Sequence, residues 1–149
     1  MMTRWLDEQE QQAWRAFLGA VLAVQTGLET QLMADAGMPH AYYEVLVQLS
    51  EAPDRSLRMS ALADATASSR SRLSHAVGQL EKRGWVRRED CPTDRRGQIA
   101  VLTDGGFSAL EQAAPGHVDA VRRLLIDKLT PAQLGQLTRI GHAVLRRDA

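Results

Sequence analysis

Apolar residues recur at three- and four-residue steps through Trp14, Phe17, Leu18, Val21, Leu22, Leu28 and Leu32, which predicts one long helix over residues 7–34. Gly37 and Pro39 stop it. A second stripe, Tyr42, Val45, Leu46 and Leu49, predicts a helix over 40–51 that ends before Pro53. Residues 56–59 read as a short extended segment. Ser60 is expected to cap a brief helix over 61–66 with Leu62 turned inward. After a break at Ala67-Ser68, Leu73, Val77 and Leu80 stand at i, i+4 and i+7 and predict a helix over 69–83. Lys82 and Arg83 fall in its last turn, where cations complement the helix dipole, and Gly84 suits the left-handed position beyond it.

The periodicity then shortens. Residues 85–90 and 98–102 read as strands, the second alternating with Ile99 and Val101 on one side. Between them, Cys91-Pro92-Thr93-Asp94-Arg95-Arg96-Gly97 reads as a loop with two arginines near its tip. Asp94 is spaced to brace the Arg96 side chain by an ion pair. Thr103-Asp104 starts another helical run through Phe107, Leu110, Val118, Val121, Leu124 and Leu125, which Pro115-Gly116 should kink or break. Thr130 is expected to cap a last helix, with Pro131 at its first position and Leu134, Leu137, Ile140, Val144 and Leu145 along it.

This order is that of a winged helix-turn-helix: mainly α, with a small β-hairpin wing. On a wheel of about 100° per residue, Val77 and Leu80 fall beside Leu73. Ser71, His75, Gly78 and Lys82 fall opposite, flanked by Arg72, Ser74 and Gln79. The exposed face therefore carries short hydrogen-bonding side chains and positive charge, with no carboxylate before Glu81. Such a face can enter a major groove while its apolar side stays anchored. The N-terminal part, Ser68-Ser69-Arg70-Ser71-Arg72, is where base edges are read, and its free N–H groups can hold a phosphate. A solvated Ser/Arg-rich surface would look the same. The Arg95-Arg96 pair separates the readings, because arginines on a hairpin suit the negative potential of a minor groove.

Charge supports this only locally. The 149-residue chain has 18 Lys and Arg against 18 Asp and Glu, a formal net charge of zero. Between residues 55 and 96, however, ten basic side chains face five acidic ones, and the remainder holds eight against thirteen. A polyanion feels charge over about a Debye length, roughly 10 Å, so the basic segment counts and the average does not.

The sequence resembles the MarR family of multiple-antibiotic-resistance transcriptional regulators over nearly its whole length. The resemblance is carried by Leu62-Ala63-Asp64-Ala65, Ser69-Arg70-Ser71-Arg72-Leu73-Ser74, Leu80-Glu81-Lys82-Arg83-Gly84-Trp85-Val86 and, most specifically, Asp94-Arg95-Arg96-Gly97 leading to Val101-Leu102-Thr103-Asp104-Gly105-Gly106. It implies sequence-specific binding of double-stranded DNA as a homodimer on a pseudo-palindromic operator, with repression relieved by a small aromatic or anionic ligand. It implies one MarR-type domain over 1–149, a DNA-binding lobe over 55–103, and dimerisation helices over 5–36 and 104–149, the last reaching residue 147. Ser69, Arg70, Ser71, Ser74 and His75 fall on recognition-helix positions and Asp94, Arg95 and Arg96 on the wing; Ser68, Arg72, Gln79 and Lys82 complete the expected DNA contacts. Trp14, Phe17, Tyr42 and Tyr43 are the candidates for lining an effector cleft.

Two departures bear on function. The family turn places glycine between apolar residues, whereas this chain has Thr66-Ala67-Ser68, which predicts a looser turn. His75 stands where arginine is common, so affinity is expected to fall and to follow pH near neutrality.

Other chemistries find little support. The single cysteine, Cys91, cannot form an internal disulfide and suggests a reducing compartment. The family's peroxide sensors carry their cysteine near the start of the first long helix, so an inert thiol is expected here. His40, His75, His117 and His142 are scattered and no CxxC or HExxH spacing occurs, so no metal or cofactor is expected and no enzyme activity. The N-terminus lacks a signal-peptide run, and no stretch approaches the roughly 18 apolar residues of a membrane span, so a cytoplasmic protein is expected. The alternative function is a small-molecule-binding helical dimer with weak or lost DNA binding.

Overall fold

A computed structural model of the chain describes residues 1–146, apart from the side chain of Arg95. The helices are α1 (Glu8–Ala36), α2 (His40–Glu51), α3 (Met59–Ala65), α4 (Arg70–Lys82), α5 (Asp104–Leu124) and α6 (Pro131–Leu145), with single 3-10 turns at Pro53–Arg55 and Ile126–Lys128. Three strands, β1 (Ser56–Arg58), β2 (Val86–Cys91) and β3 (Asp94–Leu102), form an antiparallel sheet in the order β1-β3-β2. The expected extension of the last helix to residue 147 lies outside the described residues. Among the described residues no helix is long and apolar enough to cross a membrane.

The chain divides into two compact units, one of residues 31–116 and the other of residues 1–30 with those from 117 onward. The first contains the whole lobe expected over 55–103. Its core joins Leu32, Val45, Leu46 and Leu49 to Leu62, Leu73, Val77 and Leu80, all essentially buried, and closes on the sheet through Val86, Ala100 and Leu102. The stripes read on α2 and α4, and the Leu32 end of the α1 stripe, are faces that meet in this core. In the second unit many apolar side chains of α1 and α6 stay uncovered: Phe17 is 48% exposed, Leu22 64%, Ile140 54% and Val144 71%.

Several local expectations are corrected. Ser60 does not cap α3. β1 passes directly into the helix, Arg58 takes the cap position in extended conformation (φ −60°, ψ 144°) with no side-chain cap, and Ser60 lies inside the first turn. Pro115 does not break α5, which runs as one helix from Asp104 to Leu124 with the proline inside it. The proline gives up one backbone donor, and the flanking turns carry the helix past it. The loop expected over 91–97 contracts to Pro92-Thr93, so Asp94, Arg95, Arg96 and Gly97 belong to β3. Thr130 caps α6 as expected, in a reciprocal capping box with Gln133 and with proline at the helix start.

Candidate nucleic-acid interface

Two left-handed turns flank α4, one at its entry and one beyond its end. At the end of α3, the Ser68 N–H donates to Ala63 C=O at 3.0 Å and the Ala67 N–H to Asp64 C=O at 3.3 Å, with Ala67 at φ +49°. This is the Schellman arrangement, formed with alanine at the left-handed position that glycine usually takes. Thr66 Oγ1 adds a bond to Leu62 C=O at 2.8 Å. The turn is therefore closed, and its departure from the family pattern shows as backbone strain rather than the expected looseness. At the other end of α4, Trp85 N–H reaches Leu80 C=O at 3.0 Å and Gly84 N–H reaches Glu81 C=O at 2.9 Å, with Gly84 at φ +74°. Between these turns Ser69 caps the helix, its hydroxyl accepting the Arg72 N–H at 3.1 Å.

Ser69, Arg70, Ser71, Arg72, His75 and Lys82 are exposed, and Ser68, Ser74 and Gln79 are half-buried. The first turn of α4 holds no acidic residue. Ser74 is not free, as the wheel implied. Arg88 Nη2 donates to its carbonyl at 2.7 Å and Nη1 to its hydroxyl at 3.3 Å.

The wing is a bulged ribbon. Asp90 pairs with Gln98 and Cys91 with Asp94, so the register shifts between Asp90 and Cys91 and residues 95–97 bulge from β3. Asp94 does brace this segment, but not by the expected ion pair: Oδ1 accepts the backbone N–H of Arg96 at 3.0 Å. The Arg96 side chain is exposed. Arg95 belongs to the same bulge; its side chain lies outside the described residues.

Two arginines escaped the sequence reading. Arg58, at the end of β1, donates from Nη2 to Cys91 Sγ at 2.9 Å and to Thr93 Oγ1 at 3.3 Å. The Thr93 hydroxyl and then the Arg58 guanidinium pull the Cys91 thiol down from 9.0 to about 7. The same contact raises Arg58. Cys91 is thus a buried, partnered thiol, 7% exposed. Arg88 could have been found by strand alternation, since it shares a face of β2 with the core residue Val86 and so faces the helix side. Arg58, Arg70, Arg88 and Arg96 line one cleft of about 460 Å³ between α4 and the wing, with Asp94 the one carboxylate there among the described residues.

The effector candidates are distributed differently. Trp14 and Phe17 are exposed on α1, 52% and 48% respectively. Tyr42 is half-buried beneath the Arg83 guanidinium, 5.4 Å from its ring centre. Tyr43 is buried in the core, and burial raises its phenol above the ordinary value.

A sequence model of the MarR family matches residues 36–97. The fold superposes on Sco3205, a MarR family transcriptional regulator from Streptomyces coelicolor crystallised in complex with DNA. The TM-score is 0.89 and the identity 53%, over 98% of this chain and 94% of that one. AbsC, another MarR family regulator of S. coelicolor, is 45% identical over 93% of each chain, with a TM-score of 0.86. The transcriptional repressor MprA of Escherichia coli K12 is 27% identical over 117 residues, which span 78% of this chain and 66% of MprA.

Proposed function

The chain belongs to the MarR family of transcriptional regulators, and from that premise we propose that it grips duplex DNA as a homodimer, with α4 in the major groove and the wing on the neighbouring minor groove. The observation that carries this reading is the gathering of four arginines between α4 and the wing, in a chain whose net charge is zero. Ser68, Ser69, Arg70, Ser71 and Arg72 sit where base edges and a phosphate would be met, since they surround a capped helix N-terminus with no carboxylate in its first turn. His75, Gln79 and Lys82 extend that face, and Arg95 and Arg96 are the wing contacts.

The uncovered apolar side chains of α1 and α6 support dimerisation, because Leu22, Ile140, Val144 and Leu145 would gain more from a partner than from water. Repression fits the E. coli repressor MprA among its relatives; action in the cytoplasm and relief by a small aromatic or anionic ligand complete the proposal. For such a ligand the exposed rings of Trp14 and Phe17 offer contact area and the buried Tyr43 does not.

The test compares substitutions on the two halves of the interface. Arg96→Ala should weaken binding to all duplexes and lower the salt slope by about one, the signature of one phosphate contact. Arg70→Ala or Ser71→Ala should instead change which bases are preferred. An Arg96→Ala protein with unchanged affinity and slope would contradict the wing assignment. A folded dimer that shifts no DNA at low salt would favour a helical dimer without DNA binding.

A further inference from the structure

We infer that Arg88 is a positioning residue for sequence discrimination: it fixes where α4 stands against the wing and does not itself contact DNA. The inference rests on the DNA-binding reading above. All three guanidinium nitrogens are engaged within the protein. Nε donates to Glu81 Oε1 at 2.8 Å, Nη2 to the Ser74 carbonyl at 2.7 Å, and Nη1 to Ser74 Oγ at 3.3 Å and Gln98 Oε1 at 3.5 Å. Four of the five N–H donors are thus taken within the protein, so a two-pronged grip on a phosphate would cost at least one of these bonds.

The geometry is that of a clamp. Ser74, Gly78 and Glu81 lie at i, i+4 and i+7, one line along α4, and Arg88 holds both ends of it. The two ends are separated by about 10 Å of helix rise, so bonds at both restrain sliding as well as rotation. The guanidinium lies close against the helix at Gly78 between them, where a Cβ would meet Nη2 at 3.6 Å, an ordinary contact, so the clamp does not depend on the glycine. The other side of the clamp is firm, because Arg88 sits inside β2 opposite Ala100 of β3. Its side chain is 22% exposed and that of Glu81 38%, so the pair is partly shielded. A planar fork with fixed, spread donors suits this task better than a lysine, whose donors all sit on one point-like ammonium.

Reading base edges depends steeply on distance and angle. Non-specific binding depends on charge near phosphates and tolerates small displacements. Loosening α4 should therefore erode the first and spare the second.

The experiment uses the full-length protein and two duplexes of equal length: one enriched from a random pool by the wild type, and one of mixed sequence. Arg88→Met keeps the apolar stem and removes the fork. It is expected to weaken the enriched duplex about tenfold. The mixed duplex should change by less than about twofold, with the salt slope unchanged. Arg88→Lys should restore part of the ratio. Glu81→Met removes the acceptor at one end of the clamp and should lower the ratio by about threefold; it keeps the inference testable should Arg88→Met fail to fold. Equal losses on both duplexes with a slope lower by about one would make Arg88 a direct phosphate contact and overturn the inference. Ratios equal to wild type in the folded variants would overturn it as well. A wild type that enriches no sequence would overturn the DNA-binding reading and this inference with it, an outcome distinct from the other two.

Discussion

Ala67 holds φ +49° where α3 turns into α4, a conformation that costs an alanine roughly 1 kcal/mol because its Cβ crowds the following carbonyl. The strain persists because the Ala67 and Ser68 amides close the end of α3 on Asp64 and Ala63. Ala67→Gly should relieve it, against the larger entropy of glycine in the unfolded chain, for a net gain of up to about 1 kcal/mol in urea unfolding. A loss of stability would mean that the alanine methyl contributes packing the backbone argument omits. The replacement of the family's glycine by Ala67 marked this turn, but local propensity did not show that it would keep its left-handed form under strain, since that form is imposed by closing α3 against α4 rather than preferred by alanine. Arg58 and Arg88 were hidden for a related reason. A wheel or an alternation pattern shows which face a residue occupies but not which partner from another element meets it there. Ser69, by contrast, was legible, because a cap acts within three residues.

At the scale of elements, the junction between the wing and α5 explains the most specific stretch of the sequence. Thr103 Oγ1 donates to Gly84 C=O at 2.6 Å and accepts the Gly106 N–H at 3.0 Å, so one hydroxyl caps α5 and fastens it beyond the end of α4. Thr103 N–H donates to Trp85 C=O at 3.0 Å. Gly106 packs so close to that carbonyl that a Cβ would collide with it, and also with Leu102 Cδ1 at 2.6 Å. Backbone cannot give way there as a side-chain tip could. Gly106→Ala should therefore destabilise the protein by about 3 kcal/mol in urea unfolding. A change below about 1 kcal/mol would show that this seam relaxes freely. The apolar stripes made the helices legible whether the face they form is buried in the core, as on α2 and α4, or left uncovered, as on much of α1 and α6. The strand ends were not legible, since the bulge at residues 95–97 is set by hydrogen-bond register, which leaves no periodic trace.

Across the whole molecule, charge and apolar surface are segregated along the chain. The arginines that line the cleft all lie between residues 55 and 96, while uncovered apolar side chains gather on α1 and α6, where Leu22 is 64% and Leu145 77% exposed. On the reading proposed here, the second surface joins two chains and the first meets the polyanion, so a two-fold protein presents two copies of α4. Symmetry of that kind makes a geometric demand on the DNA, independent of any single contact. The most direct measurement is therefore selection of bound duplexes from a random pool by the full-length protein, at low salt and again near physiological salt. The account predicts enrichment of an inverted repeat whose half-sites lie about one helical turn, roughly 10 bp, apart. Enrichment of a single unrepeated motif, or of no motif at all, would contradict it.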